Sequence, residues 1–261
     1  PPTTRTRRLT RVDEQESDMD IKGSVALVTG ANRGLGAAFC RVLLDQGATN
    51  VYAGARDPAT VATKGVVPVR LDITAESDIA AVAERCGDIT LLVNNAGITT
   101  GTGALADDAL EMARREFETN VLGPLAMSRA LAPALGTNGG GAIINVLSVL
   151  SWFSMPATAI YCASKAASWS LTNSLRQELL AQRTQVLALH VGFMDTDMTT
   201  GIEAPKSSPE DVAAQALDGI DAGAHEVLAD DVSRIVRAGL SADLTVLYPA
   251  LATTTSPAHQ T

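Results

Sequence analysis

Tyr161 and Lys165 stand four residues apart in Tyr161-Cys162-Ala163-Ser164-Lys165. On a helix that spacing puts phenol and ammonium on one face. A free phenol has a pKa of about 10. A fixed cation close by favours the phenolate and draws that value toward neutrality, which makes a proton donor for physiological pH. The same pair also fits two solvated neighbours on a helix surface. Its meaning depends on what the rest of the chain brings beside it.

A glycine-rich segment, Thr29-Gly30-Ala31-Asn32-Arg33-Gly34-Leu35-Gly36, follows the apolar run Val25-Ala26-Leu27-Val28. It precedes 37–46, where Phe39, Val42 and Leu43 recur at helical spacing. Strand, glycine turn and helix form the context in which backbone amides at a helix N-terminus receive a phosphate. The order Gly-x-x-x-Gly-x-Gly differs from the commoner Gly-x-Gly-x-x-Gly, and glycines also suit any tight turn in a parallel sheet. Two more apolar runs end in polar residues: Leu91-Leu92-Val93 leads into Asn94-Asn95-Ala96-Gly97, and Ala142–Leu147 leads into Ser148. Ligands of open α/β sheets bind beyond the carboxyl ends of the strands, so all three motifs point at one crevice.

The glycine motif, Asn94-Asn95-Ala96-Gly97, Asn120 in Thr119-Asn120-Val121, Ser148 and the Tyr161/Lys165 pair occur in this order. With these motifs and spacings the chain resembles the short-chain dehydrogenase/reductase family over residues 21–240. The resemblance implies a Rossmann-type α/β fold, a doubly wound parallel sheet of about seven strands, and hydride transfer between NADP(H) and a carbonyl or alcohol. It implies Tyr161 as general acid, with Lys165 lowering its pKa and bonding the nicotinamide ribose. Ser148 would polarise the substrate oxygen, and Asn120 would hold a water linking Lys165 to solvent. Asn94, Ala96 and Gly97 would shape the crevice near the adenosine. A lyase or epimerase on the same scaffold, or a non-catalytic dinucleotide sensor, are the alternatives; retention of both tyrosine and lysine speaks against the sensor.

Charge bears on which dinucleotide. NAD sites place an acid about 20 residues beyond the glycines, on the ribose 2′-hydroxyl. Here Ala55 falls at that place, Arg56 follows, and Arg33 lies inside the glycine turn. Two guanidiniums suit a 2′-phosphate, so NADP(H) is expected, with Gly30, Asn32, Arg33, Gly34, Leu35, Gly36 and Arg56 in contact with it. The competing assignment has Arg56 pairing with Asp57, and Asp57 serving as the ribose acid. The resemblance adds Asp72 and Ile73 near the adenine, Asp72 also being a candidate helix cap, and Gly192 and Thr196 near the nicotinamide. Val191 stands where the family usually has proline, which restores a backbone N–H. Asp195 and Asp197 receive no acid/base role.

The family builds its substrate pocket from the segments after Ser148 and after Gly192. Trp152, Phe153 and Met155 on the first, and Phe193, Met194 and Met198 on the second, suggest a hydrophobic ketone or aldehyde. Trp152 and Phe153 also fit a core or a subunit interface. The strand ending Ala229-Asp230-Asp231 lacks the glycine-rich ending of the tetrameric fatty-acid-synthesis reductases, which weakens an acyl-carrier substrate. The family implies a homo-oligomer, dimer or tetramer; the altered ending also admits a monomer.

The remaining composition excludes several classes. The formal net charge is −9, which disfavours nucleic acid. No apolar stretch approaches the roughly 20 residues of a membrane span, and no signal-peptide core precedes the first strand. Cys40, Cys86 and Cys162, like His190, His225 and His259, are dispersed without metal spacing, so no metal is expected and the thiols fit a reducing cytoplasm. Strands are expected at 24–29, 50–55, 66–71, 90–94, 142–148, 185–191 and 225–229, with long helices near 107–135 and 156–182. Residues 1–20, basic then acidic, read as a disordered arm. Residues 21–250 read as one domain and 251–261 as a flexible tail.

Overall fold

The computed structural model describes residues 19–254. Its strands are β1 (Val25–Thr29), β2 (Asn50–Ala55), β3 (Val67–Arg70), β4 (Leu91–Asn94), β5 (Ala142–Val146), β6 (Gln185–His190) and β7 (Glu226–Leu228). All pair in parallel, in the order β3-β2-β1-β4-β5-β6-β7. The helices are α1 (Gly34–Asp45), α2 (Glu76–Arg85), α3 (Ala109–Phe117), α4 (Gly123–Thr137), α5 (Ala159–Glu178), α6 (Pro209–Asp221), α7 (Asp231–Gly239) and α8 (Leu244–Leu247). This is the expected Rossmann-type doubly wound sheet. The chain reverses its winding between β1 and β4, which opens a crevice at their carboxyl ends.

The strands are aliphatic and buried on both sides, as parallel strands covered by helices must be; every residue of β4 is buried. Ala38, Phe39 and Leu43 of α1 meet Val212 and Leu217 of α6 in a core on one face. Val82 of α2 meets Met127, Leu131 and Leu135 of α4 on the other.

Three expectations change. The long helix near 107–135 is broken: residues Glu118–Leu122 form a π turn between α3 and α4. β5 stops at Val146, because the Ser148 side chain accepts from the Leu150 amide and starts a 3-10 turn over Val149–Ser151. Beyond β7 the chain adds α7 and α8, and a 3-10 segment over Pro249–Thr254 carries order into the stretch expected as tail. Ile21, the first residue of the expected domain, is 1% exposed and its amide donates to Asp221. The rest of the expected arm and tail, residues 1–18 and 255–261, lies outside the described residues. No helix among the described residues is long and apolar enough to cross a membrane.

Leu92, at the centre of β4, is fully buried. Leu92→Ala is expected to cost about 2–5 kcal/mol, measured in urea as a lowered midpoint with an unchanged slope.

Candidate active site

The crevice is built first by the turn after β1. Gly30 and Gly34 have φ of 64° and 50°, a left-handed region that disfavours side chains. A Cβ on Gly36 would lie 2.2 Å from the Gly30 carbonyl oxygen and 2.6 Å from Asn95 Nδ2. Asn95 explains this tight approach: its Nδ2 donates to the Thr29 oxygen at 2.8 Å and the Gly30 oxygen at 3.2 Å. Thr29 Oγ accepts in return from the Asn95 and Ala96 amides. Arg33 precedes α1 in extended conformation and makes no side-chain cap, so the first amides of α1 remain available to an anion.

A cleft of about 840 Å³ runs from this turn across the strand ends. Gly30, Asn32, Arg33, Gly34, Leu35 and Gly36 line it on the α1 side, and Arg56, Asp72 and Ile73 at the ends of β2 and β3. Ala96, Gly97, Ser148, Tyr161 and Lys165 form its floor, and Gly192, Met194, Thr196 and Met198 its far wall. The volume and the glycine cradle fit a dinucleotide.

At the floor, Tyr161 and Lys165 lie one turn apart on α5, with Lys165 Nζ 5.7 Å from the Tyr161 ring centroid. Lys165 is 5% exposed, and its ammonium donates to the Val146 carbonyl at 2.9 Å. Ser148 shares the floor with Tyr161 and acts to lower the pKa of its phenol. Burial is the largest influence on both titrating groups. It pushes the Tyr161 phenol well up, against the lowering effect of Ser148, and pulls Lys165 down to about 8. The fall of the tyrosine toward neutrality expected from the neighbouring cation is not what burial alone produces.

Asn94 and Asn120 sit behind the cleft surface. Asn120 occupies the π turn, where its Oδ1 accepts from the Ile98 amide at 2.8 Å. Its Nδ2 donates to the Ile98 oxygen and to Ser164 Oγ. Asn94 Nδ2 donates to Asn145 Oδ1 at 2.9 Å, tying β4 to β5.

The expected aromatic pocket is not assembled. Trp152 stacks on His190, ring centroids 3.7 Å apart, and meets Trp169 edge-on. Phe153 stacks on Tyr248, whose hydroxyl accepts from the Ser154 amide. Met155 and Phe193 also stand off the cleft; the Met155 amide donates to Cys162 Sγ, and the Phe193 oxygen accepts from the Ser207 amide. The 3-10 turn after Ser148 aims Trp152 under α7, where Arg237 lies over its ring. Of the six candidates only Met194 and Met198 reach the cleft.

Arg33 pairs with Asp197 at 2.9 Å. Asp57 caps the 3-10 turn Pro58–Thr60. Asp72 accepts from both the amide and hydroxyl of Thr74, which lowers its pKa. It thus closes a local turn, while α2 begins later, at Glu76. The proline-to-valine change at 191 is accommodated: Val191 is 2% exposed and its carbonyl accepts from Val149.

Three contributors were not signalled by the sequence. Asp230 caps α7 and accepts from the Gly192 amide, fixing the far wall. His190 is fully buried, its Nδ1 3.1 Å from the Ser148 carbonyl oxygen. Glu116, also fully buried, accepts from the amide and hydroxyl of Thr100. All three depend on contacts between distant segments.

With fold and site in view, comparison with known proteins defines the class. The family model described as short chain dehydrogenase matches residues 24–207, and the chain belongs to this family. A 3-oxoacyl-[acyl-carrier-protein] reductase, FabG, of Vibrio harveyi is 31% identical over 220 residues, covering 78% of this chain and 85% of its own. An NADP-dependent 3-hydroxy acid dehydrogenase of Schizosaccharomyces pombe is 29% identical, covering 69% and 74%. A crystal structure of a short chain dehydrogenase from Burkholderia cenocepacia in complex with NADP is 41% identical. It superposes with a TM-score of 0.85 over 92% of this chain and 100% of that one.

Burial holds the His190 imidazole at about 4, against an ordinary 6.5. Between those values the unfolded chain takes up the proton first, so stability falls as pH falls, by about 3 kcal/mol once pH 4 is reached. Urea unfolding at pH 7, 5.5 and 4.5 should show this slope, and His190→Phe should flatten it.

Proposed function

We propose that the protein is an NADP(H)-dependent carbonyl reductase, reversible as an alcohol dehydrogenase, acting on a hydrophobic ketone or aldehyde. The observation that carries this reading is the meeting of Ser148, Tyr161 and Lys165 at the floor of a cleft whose far end is the glycine cradle. NADP(H) is supported by Ala55 ending β2 without an acid, and by Arg33 and Arg56 both lining the cleft. Asp57 Oδ1 accepts from the Ala59 amide as a turn cap, which weighs against its use as the ribose acid. The NADP-bound Burkholderia relative points the same way.

The bound dinucleotide would supply hydride to the carbonyl carbon; the chain does the rest. Ser148 donates to the carbonyl oxygen and fixes its position. Tyr161, kept as a phenol by burial, gives that oxygen its proton. Lys165, anchored on Val146, presents a cation near the phenol and would bond the nicotinamide ribose of a bound cofactor. Reprotonation has a route behind the floor, where a cavity of about 20 Å³ touches Asn94, Asn120 and Lys165. That is room for one water. Met194 and Met198 give the substrate side an apolar wall. The buried free thiols Cys40, Cys86 and Cys162 support a cytoplasmic setting, and family kinship supports a homo-oligomer.

Following NADPH absorbance over a panel of aromatic and bulky aliphatic ketones tests this. Tyr161→Phe should lower kcat by about 100-fold or more. Arg33→Ala and Arg56→Ala should each raise the KM for NADPH by about tenfold and leave that for NADH unchanged. Tight NADPH binding with no turnover across the panel would remove the reductase reading, and NADH turnover equal to that with NADPH would remove the cofactor assignment.

A further inference from the structure

Glu116 stands out among the buried groups that the mechanism does not use. Its residue exposure is 0%. Oε1 accepts from the Thr100 amide at 2.6 Å and from Thr100 Oγ at 2.5 Å, and Thr100 Oγ lies 3.0 Å from Thr102 Oγ. Oε2 is buried and makes no hydrogen bond among the described residues. A carboxylate with a bare oxygen in the interior is expensive unless a cation lies near. The segment it grips reaches the catalytic helix: the Ile160 amide, next to Tyr161, donates to the Thr102 carbonyl. The charged and titratable groups around Lys165 are Tyr161 from its own helix, Glu116 from α3 and His190 from β6. Burial keeps His190 neutral, so Glu116 is the acidic group whose charge acts on the buried ammonium, at longer range than an ion pair.

We propose that Glu116 is a positioning residue for Tyr161 and Lys165: it ties the 100–102 segment to the first turn of α5 and supplies the counter-charge that keeps Lys165 an ammonium. This rests on the reductase reading for its catalytic meaning, but the charge balance is independent of turnover. The influence of Glu116 on Lys165 opposes desolvation and raises its pKa. It also raises that of Tyr161, holding the proton the reaction delivers. Removing the charge must therefore lower both.

The lysines of this chain are Lys22, Lys64, Lys165 and Lys206, few enough to titrate singly by NMR of protein carrying 13C at the lysine ε carbon. Lys165→Arg assigns the resonance. In the native protein it should titrate near 8. In Glu116→Gln, which keeps the shape and the bond from the Thr100 amide, the midpoint should fall by about one pH unit. Thr100→Val, which keeps the charge, should leave it in place. If turnover is present, the alkaline limb of kcat/KM in the reductive direction should move down with it, through kcat more than KM. Glu116→Leu, an apolar filling of similar size, serves as the second variant and should shift the same way. An unmoved Lys165 midpoint in Glu116→Gln would overturn the proposal. So would failure of both variants to fold, which would assign the carboxylate to stability alone. A shifted midpoint in a protein that never oxidises NADPH would keep the charge balance and reject only the reductase reading.

Discussion

The site depends on how two strands part. β1 and β4 lie side by side, yet the chain leaves them in opposite directions, and their end amides and carbonyls must find partners without a continuing ladder. Thr29 and Asn95 supply those partners reciprocally: the threonine hydroxyl takes two amides from the β4 side, and the asparagine amide takes two carbonyls from the β1 side. This closes the backbone so tightly that Gly36 has no space for a methyl group. The open amides of α1 and the wide cleft beside them follow from that closure.

A second constraint is the desolvation of charge. Placing an ammonium beneath a phenol inside the sheet edge costs stability unless the surroundings answer it. The Val146 carbonyl does so directly, and strand β5 is free to offer that carbonyl because its ladder stops there. Ser148, two residues on, caps the next turn and lines the cleft beside Tyr161. The polar thread behind, from Asn94 through Asn145 to Thr172 and from Asn120 to Ser164, keeps α5 in register with the sheet.

Much of this was legible in the sequence, because parallel strands are short apolar runs and their ends are marked by Gly, Asn or Ser. All seven strands fell within two residues of expectation at each end. Of the motif residues, Gly30, Asn32 to Gly36, Ser148, Tyr161 and Lys165 line one cleft. Resemblance to the family places Trp152 in the pocket, whereas the 3-10 turn after Ser148 turns it onto His190 and Trp169, which is the core alternative. Glu116 was hidden because α3 reads as a polar surface helix, its neighbours Arg114, Arg115 and Glu118 being exposed. The π turn that follows it leaves no mark in hydrophobic spacing. The Arg33 partner, Asp197, lies 164 residues away, beyond the reach of any local pattern.

That last pair ties the rim of the cleft to the composition of the medium. Arg33 and Asp197 bring the glycine turn and the loop after β6 together across the mouth, with side chains 70% and 75% exposed. An ion pair so open to water is worth at most about 1 kcal/mol. Its reach is cut to about 8 Å at physiological ionic strength and further in stronger brine. The floor, made of buried bonds, is indifferent to dissolved ions, whereas the doorway loosens as they accumulate.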